Sequence, residues 1–319
     1  MLMLRLCVWM FSVSALLSGA GAASGQRYPN KPIRIVTSGV GGSGDFTARV
    51  IAQGLTASMG HQVIVDNRPS GIIPGKVVST ALPDGYTLLY NGVAHWLAPF
   101  LQEVPYDPVK DFSPITLAVS SPNVLVVNPS LPARSVVEFI ALAKAKPGEL
   151  NYGTSGIGSS IHLAAELFKA MAGVNITHVN YKGAGAALND LIAGEVQMSF
   201  ASARTAAPFV KSGRLRALGV GSVRPSALFP GLPTLAATLP GYESASTFGM
   251  FAPAGTPVTL INRLNSEIVK ILNQDGTRER LLKIGIDVVG SSPAEFGASV
   301  KAEMARLGKV IKDAGIRAQ

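Results

Sequence analysis

Short apolar runs alternate with longer stretches of helical periodicity along almost the whole chain. Runs of strand length, rich in Val, Ile, Leu and Tyr, occur at 33–37, 62–66, 87–90, 115–119, 124–128, 150–153, 177–181, 196–200 and 215–220. Amphipathic periodicity predicts helices at 46–59, 135–145, 161–172, 186–193, 206–211, 258–272, 278–284 and 294–313. This alternation predicts an α/β fold with mostly parallel sheets and helices on both faces of each sheet.

So many strands divide more readily between two sheets than gather in one, which predicts two lobes. We expect one lobe at 27–122 plus 248–319 and the other at 123–247, joined by two crossings that act as a hinge. Ligands of open α/β sheets bind outside the carboxyl ends of the strands. Loops of both lobes are therefore expected to face the cleft between them.

The first residues are typical of an export signal. Arg5 precedes an apolar run at 6–17, and Ala20 and Ala22 have the spacing that a signal peptidase recognises. The run is too short to span a bilayer comfortably, so we expect cleavage after a signal peptide at 1–23 and no membrane insertion of the mature chain. Cys7, the only cysteine, lies inside this segment. The mature chain is thus expected to have no disulfide and no thiol nucleophile.

Charge and composition narrow the class of partner. The net charge is +9, and 47% of the residues are hydrophobic against 15% charged. A positive balance suits an anionic partner. No basic run is interleaved with aromatic residues, so we expect no nucleic-acid partner.

The loop at 39–44, Gly-Val-Gly-Gly-Ser-Gly, matches the dinucleotide-binding pattern, and Asp66 follows at the usual distance. We reject that interpretation because Asp45, in the first turn of the next helix, would repel a pyrophosphate. We expect no cofactor. A helix N-terminus attracts any anion, and the hydroxyls of Thr37 and Ser43 add donors. This loop is predicted to cradle a carboxylate.

The second lobe contains similar loops at 155–160, 181–185 and 201–205. Each follows a predicted strand, contains small or hydroxyl residues and opens a helix. One such loop alone would be ordinary turn chemistry. Several at the same cleft predict a second anion-binding surface, with Arg204 available to pair with a carboxylate.

No catalytic pattern is present. The chain has no G-x-S-x-G elbow, and His61, His95, His162 and His178 lack the spacing of metal ligands. We expect these histidines to be structural, with their rings hydrogen-bonded. The chain is therefore predicted to bind no metal and not to be an enzyme.

Several motifs together resemble one family, the Bug-type substrate-binding receptors of tripartite tricarboxylate transporters. The matching segments are 28–36, 41–45, 67–69, 83–87, 106–112, 162–163, 181–183 and 252–257. The resemblance implies a two-lobed periplasmic binding protein of the Venus flytrap type, expected to be a monomer. It also implies a small carboxylate ligand and delivery to membrane permease subunits. A sensor that feeds a signalling system and, less favoured, a periplasmic hydrolase are the alternatives.

The motifs and the resemblance together give one set of expected ligand-binding residues: Thr37, Ser38, Gly41, Gly42, Ser43, Asp45, Phe46, Ser155, Gly158, Ser159, Asn180, Tyr181, Ser202 and Arg204. The chain departs from the family pattern at several of them.

Thr37-Ser38 stands where the family usually has Pro-Phe, and Ile72-Ile73 replaces glycines. With Phe46, the isoleucines predict an apolar wall between two anion sites. The ligand we expect is a dicarboxylate with an apolar body, such as terephthalate or a mid-length aliphatic diacid. The alternative left open is that the isoleucines pack inward and Arg204 faces solvent.

Overall fold

The structure is a computed structural model that describes residues 28–40, 42–68, 72–226, 228–313 and 315–317. The predicted signal peptide at 1–23, with Cys7, and the site residue Gly41 lie outside the described residues. Within the described ranges no helix is long and apolar enough to cross a membrane.

The first part of the chain alternates strands and helices, as the periodicity predicts. Its elements are β1 (Ile33–Thr37), α1 (Ser43–Met59), β2 (Val63–Asn67), α2 (Ile73–Ser79), β3 (Thr87–Gly92) and α3 (Val93–Leu101). The elements α2 and α3 were not predicted. The helix α3 is apolar on most sides and contains Pro99, so it lacks an amphipathic stripe.

The middle and last parts continue the alternation. The middle elements are β4 (Phe112–Val127), α4 (Val136–Ala145), β5 (Asn151–Thr154), α5 (Ser160–Ala172), β6 (Thr177–Asn180), α6 (Ala184–Ala193), β7 (Met198–Ser202), α7 (Ala203–Lys211) and β8 (Arg216–Val220). The last are β9 (Ala245–Pro253), α8 (Val258–Leu272), α9 (Asp275–Leu282), β10 (Asp287–Val288) and α10 (Pro293–Asp313).

The strands form two ladders that share β4. In the first, β2, β1 and β3 are parallel, and β9 joins β3 to the first part of β4 in antiparallel fashion. In the second, β6, β5 and β7 are parallel, and the last part of β4 pairs with β7 and β8. This arrangement confirms the predicted α/β fold with a mostly parallel sheet in each lobe.

The connection between the lobes is a ribbon of β4 and β9. Its pairing runs from Phe112 opposite Pro253 to Pro122 opposite Ala245. The two separate strands predicted at 115–119 and 124–128 are wrong, because β4 passes without a break from one ladder into the other. We keep the division at 122/123 and 247/248 as a proposal, and the change of ladder partners at Pro122 supports it.

Buried hydroxyls fasten the crossing. Ser121 donates its Oγ to the carbonyl of Gly285 at 2.7 Å. Ser246 donates to Asn123 Oδ1 at 2.9 Å and lies 2.7 Å from the hydroxyl of Ser160. At the start of β9, side-chain hydrogen bonds therefore join this strand to helix α5 and add to its ladder with β4.

The core of the first lobe contains a histidine that departs from the sequence expectation. His95 is fully buried, stacks on Tyr106 with ring centroids 4.8 Å apart, and meets Phe112 edge-on. Neither ring nitrogen of His95 has a hydrogen-bond partner among the described residues. The expectation that the histidine rings are hydrogen-bonded is therefore wrong for His95. Burial lowers the pKa of His95 from 6.5 to about 3.

This burial predicts a pH-dependent stability. Below pH 6.5 His95 is protonated in the unfolded chain, whereas in the folded protein it stays neutral until the pH approaches 3. Stability is therefore lost as pH falls, by about 2 kcal/mol between pH 6.5 and 5 from this group. Urea unfolding at pH 7 and pH 5 should show a smaller acid-induced loss for His95→Leu than for the wild type. Equal losses in both proteins would contradict the buried neutral ring.

Candidate functional site

The first-lobe site is built on the N-terminus of α1. Gly42 is the N-cap residue and provides no side-chain cap, while Ser43 and Asp45 are buried in the first turn. The first N–H groups of a helix have no intrahelical partner, and the dipole places partial positive charge there. At Gly44, a Cβ would lie 2.5 Å from the ring of Phe248 on β9. The glycine thus lets this helix end pack directly against the interlobe ribbon.

Asp45 fastens the glycine loop to the sheet. Its Oδ1 accepts from Asn67 Nδ2 at 2.9 Å and pairs with the Arg49 guanidinium at 3.0 Å. Asn67 Nδ2 also lies 3.0 Å from the carbonyl of Ser38, to which it donates. Asn67, at the end of β2, is therefore bonded both to Ser38, which precedes the loop, and to Asp45, which follows it and is 6% exposed. Asn67 stood in the sequence only as part of a family motif, and its role needed the β1–β2 register to become visible.

Thr37 ends β1 next to this loop. It is 1% exposed, and its hydroxyl has no hydrogen-bond partner within the described part of the chain. A buried hydroxyl without a partner costs about 1–3 kcal/mol. Thr37, which replaces the family's usual proline, thus places a hydroxyl donor without a hydrogen-bond partner at the end of β1.

In the second lobe, the loop at 155–160 uses most of its polar groups internally. Ser159, the N-cap of α5, accepts from the N–H of His162 at 3.3 Å and donates to the carbonyl of Gly156 at 2.7 Å. The N–H of Gly158 donates to His162 Nδ1 at 3.1 Å. Ser155 is half-buried at the start of the loop. Gly158 and Ser159 therefore shape the loop, and His162 joins them, which the sequence expectation had missed.

Asn180 and Tyr181 lie at the neighbouring strand end, since Asn180 pairs with Thr154 in the β5–β6 register. Asn180 is exposed. The hydroxyl of Tyr181 donates to Asp190 Oδ2 at 2.8 Å, and burial together with this carboxylate raises the pKa of Tyr181 to about 12. The Tyr181 hydroxyl is thus occupied within its own lobe, and the side chain offers mainly its ring.

Arg204 and Phe46 connect the two lobes directly. The guanidinium of Arg204, in the first turn of α7, lies 5.0 Å from the ring centroid of Phe46 on α1. Arg280 approaches the same ring at 5.3 Å. Neither arginine forms an ion pair with any described carboxylate. Ser202, the N-cap of α7, lies 2.9 Å from the hydroxyl of Thr205. Arg204 therefore packs across the cleft.

The two isoleucines predicted for the apolar wall separate in the structure. Ile72 packs against the larger hydrophobic core cluster, as the alternative interpretation had it. Ile73 opens α2 and is 40% exposed. The aromatic ring of Phe46 remains the apolar surface that adjoins the first turn of α1.

Strand polarity explains why these residues lie close together. Thr37, Asn67 and Tyr90 occupy matching positions in β1, β2 and β3, and β3 ends at Gly92 opposite Phe248 of the ribbon. In the other ladder β7 ends at Ser202 opposite Asn123. The carboxyl ends of both parallel sets thus adjoin the interlobe ribbon.

Solved structures with this architecture include two with ligands. R. palustris Rpa4515 with adipate is 36% identical, with a TM-score of 0.85, over 92% of this chain and 100% of that one. MatC from Rhodopseudomonas palustris with bound malate is 27% identical, with a TM-score of 0.82, over 89% of this chain and 100% of that one.

The sequence relatives agree with the structural neighbours. Protein BugT of Bordetella pertussis is 33% identical over 305 residues, which cover 93% of this chain and 94% of BugT. The profile of the tripartite tricarboxylate transporter family receptors matches residues 47–316. The chain therefore belongs to the tripartite tricarboxylate transporter family of solute-binding receptors and is of the Bug type, as its motifs predicted.

Proposed function

We propose that this protein is an exported, periplasmic receptor that closes around a small dicarboxylate with an apolar body and delivers it to the permease subunits of its transporter. The observation that carries the proposal is the first turn of α1, which has no side-chain cap and lies beside the unpartnered hydroxyl of Thr37. The adipate and malate in two related structures are both dicarboxylates and support the ligand class. The proposal includes binding and release but no chemical step.

The first carboxylate binds at α1. Backbone N–H groups of the first turn and the hydroxyls of Thr37 and Ser43 donate to its oxygens, and the helix dipole favours the negative charge. Asp45 does not compete for this role, since its carboxylate is bonded to Asn67 and Arg49. Its task is to keep the loop in the shape that exposes the donors.

The second carboxylate binds near Arg204. This guanidinium comes from the other lobe, makes no described ion pair and stacks on Phe46, which adjoins the first-turn donors. A ligand with a charge at each end and carbon between them could occupy the α1 donors, the Phe46 ring and Arg204 at once. Charge-assisted hydrogen bonds to a guanidinium are among the stronger polar contacts available in a protein.

The ligand class can be tested by calorimetry with adipate, terephthalate, malate, citrate and hexanoate, which shares the six-carbon chain of adipate but has one carboxylate. We expect adipate or terephthalate to bind most tightly. Arg204→Ala should weaken adipate binding about tenfold and leave hexanoate unchanged. Arg214→Ala is the matched control, because Arg214 stacks on Phe209 in the same fashion. Tight citrate binding without diacid binding would refute the apolar-body argument, and equal losses for adipate and hexanoate would refute the role of Arg204.

Closure of the lobes is the second expectation, because the loops that bind the two carboxylates belong to different ladders joined by one ribbon. Small-angle X-ray scattering should give a smaller radius of gyration with saturating adipate, or with whichever diacid binds most tightly, than without ligand. An unchanged radius at saturation would contradict closure.

The third expectation concerns the hydrogen bond between Asp45 and Asn67. Asp45→Ala removes the carboxylate that accepts from Asn67 and leaves the loop held through the bond from Asn67 to the Ser38 carbonyl, so it should weaken diacid binding by about 1–3 kcal/mol. Asp84→Ala, which removes a surface partner of Lys31, should leave affinity unchanged. Unaltered calorimetric affinity in Asp45→Ala would show that the loop keeps its shape without this carboxylate.

A further inference from the structure

The start of α5 carries an unusual reciprocal cap. In a capping box the side chain of the N-cap residue accepts from the N3 backbone N–H, while a Glu or Gln at N3 accepts from the N–H of the N-cap residue; here the N3 side chain accepts from the residue before the N-cap. Here Ser159 is the N-cap and His162 occupies N3. Ser159 Oγ accepts from the His162 N–H, and His162 Nδ1 accepts from the N–H of Gly158. An imidazole thus takes the place of the carboxylate or amide.

This substitution has a chemical consequence. The Nδ1 atom can accept the Gly158 N–H only while it carries no proton, so the neutral ring must hold its proton on Nε2. A glutamine would accept at any pH, and a protonated histidine could not accept at all. The conformation of the loop at 155–160 therefore depends on one protonation state of one ring.

The surroundings fix the ring in place. His162 is 3% exposed, and its ring centroid lies 4.6 Å from that of His178 and 6.5 Å from that of Tyr152. His178 Nε2 lies 2.7 Å from the hydroxyl of Thr154, the residue immediately before the loop. The loop is thus tied at its start and within it to two adjacent imidazoles.

Four titratable groups face His162: Tyr152 on β5, His178 on β6, and Glu166 and Lys169 on α5 itself. Glu166 accepts from Tyr152 and pairs with Lys169 at 2.7 Å, so its charge is largely taken up. Burial, followed by the charge of His178, lowers the pKa of His162 to about 4, with Glu166 and Lys169 acting in opposite directions. The ring therefore stays neutral at neutral pH and keeps its acceptor.

The position of Gly158 matters to both lobes. Its φ of +78° is one that side chains rarely adopt, and a Cβ there would lie 2.5 Å from Leu101 Cδ1 of α3. The loop therefore touches the first lobe at the residue that His162 holds. Any shift of Gly158 changes how the second lobe meets the first.

We propose that His162 is a positioning residue for ligand binding, whose neutral imidazole holds the 155–160 loop against the cleft through the N–H of Gly158. The proposal rests on the proposed receptor function for its effect on affinity. The hydrogen bond itself is independent of any ligand. Ring packing alone, without the hydrogen bond, is the competing explanation.

Two variants separate the hydrogen bond from the packing. His162→Asn keeps an acceptor at the Nδ1 position and loses the ring, whereas His162→Phe keeps a ring and loses the acceptor. His61→Asn, in a half-buried histidine on the first lobe, is the matched control. Each protein is compared with wild type by calorimetric titration with adipate, and by amide exchange of Gly158 without ligand.

We expect His162→Phe to weaken adipate binding about tenfold and to speed Gly158 exchange by a similar factor. His162→Asn should stay within about threefold of wild type in both measurements, and His61→Asn should match wild type. If His162→Asn binds adipate weakly and exchanges the Gly158 amide fast while His162→Phe behaves like wild type, ring packing explains the role of His162 and the proposal is overturned. If His162→Phe does not fold, the His162→Asn variant decides. Slow Gly158 exchange and near-native affinity in this variant support the proposal, and fast Gly158 exchange overturns it.

The pH profile is the second readout. Dividing the wild-type Kd by that of His162→Asn at each pH removes the effect of protonating adipate itself. We expect this ratio to stay constant from pH 7 to pH 5, because the buried ring remains neutral. If the ratio rose as the pH fell through 6.5, the ring would be taking up a proton there, which would contradict a buried neutral acceptor. If wild type binds no diacid, the proposed ligand class fails, and Gly158 exchange alone decides the role of His162.

Discussion

The antiparallel pairing of β4 with β9 is the constraint on which the two-lobed structure depends. β4 belongs to both ladders, and β9 runs beside it up to the point where the partners change. Pro122, at that point, has no N–H to give to a ladder, so the ribbon is held there by fewer backbone bonds. The hydroxyls of Ser121 and Ser246 supply side-chain bonds instead. The lobes are therefore joined by backbone hydrogen bonds along the ribbon and by side-chain hydrogen bonds at the point where the ladder partners change.

The same ribbon explains where the proposed binding residues lie. Parallel strands on either side of it direct their carboxyl ends, and the helix N-termini that follow, toward one cleft. Small residues allow close approach at this place, because a Cβ on Gly44 would lie 2.5 Å from the ring of Phe248 and one on Gly92 would lie 2.8 Å from the carbonyl oxygen of Thr247. Loops at the strand ends lack the ladder hydrogen bonds that hold the strands. Buried polar fastenings, Asp45 with Asn67 and His162 with Gly158, take over that role.

Sequence periodicity predicted the regular parts well and the special parts poorly, for physical reasons. β1 and α8 were predicted to the residue, since each has a clean pattern and clear stop signals. β4 was split because Ser120, Ser121 and Pro122 are typical of a turn, whereas the β9 partner holds them extended. Ser159 was predicted as a ligand residue from its place in the loop and from the family resemblance. Its hydrogen bonds to Gly156 and His162 depend on the local backbone, which no spacing rule reports.

The positive charges near the cleft can attract anions but cannot by themselves distinguish one carboxylate from another. Arg204 and Arg280 both approach Phe46, and neither is neutralised by a described carboxylate, so the surface around this ring is positive. Such a field draws in any small anion and falls off within a Debye length of about 8–10 Å, so it discriminates poorly among carboxylates. Discrimination must come from donors at fixed positions, because a misplaced carboxylate leaves buried groups such as the Thr37 hydroxyl unpaired. Under the proposed function, selectivity therefore depends on the hydrogen bonds that hold the loops, although these need not touch the ligand.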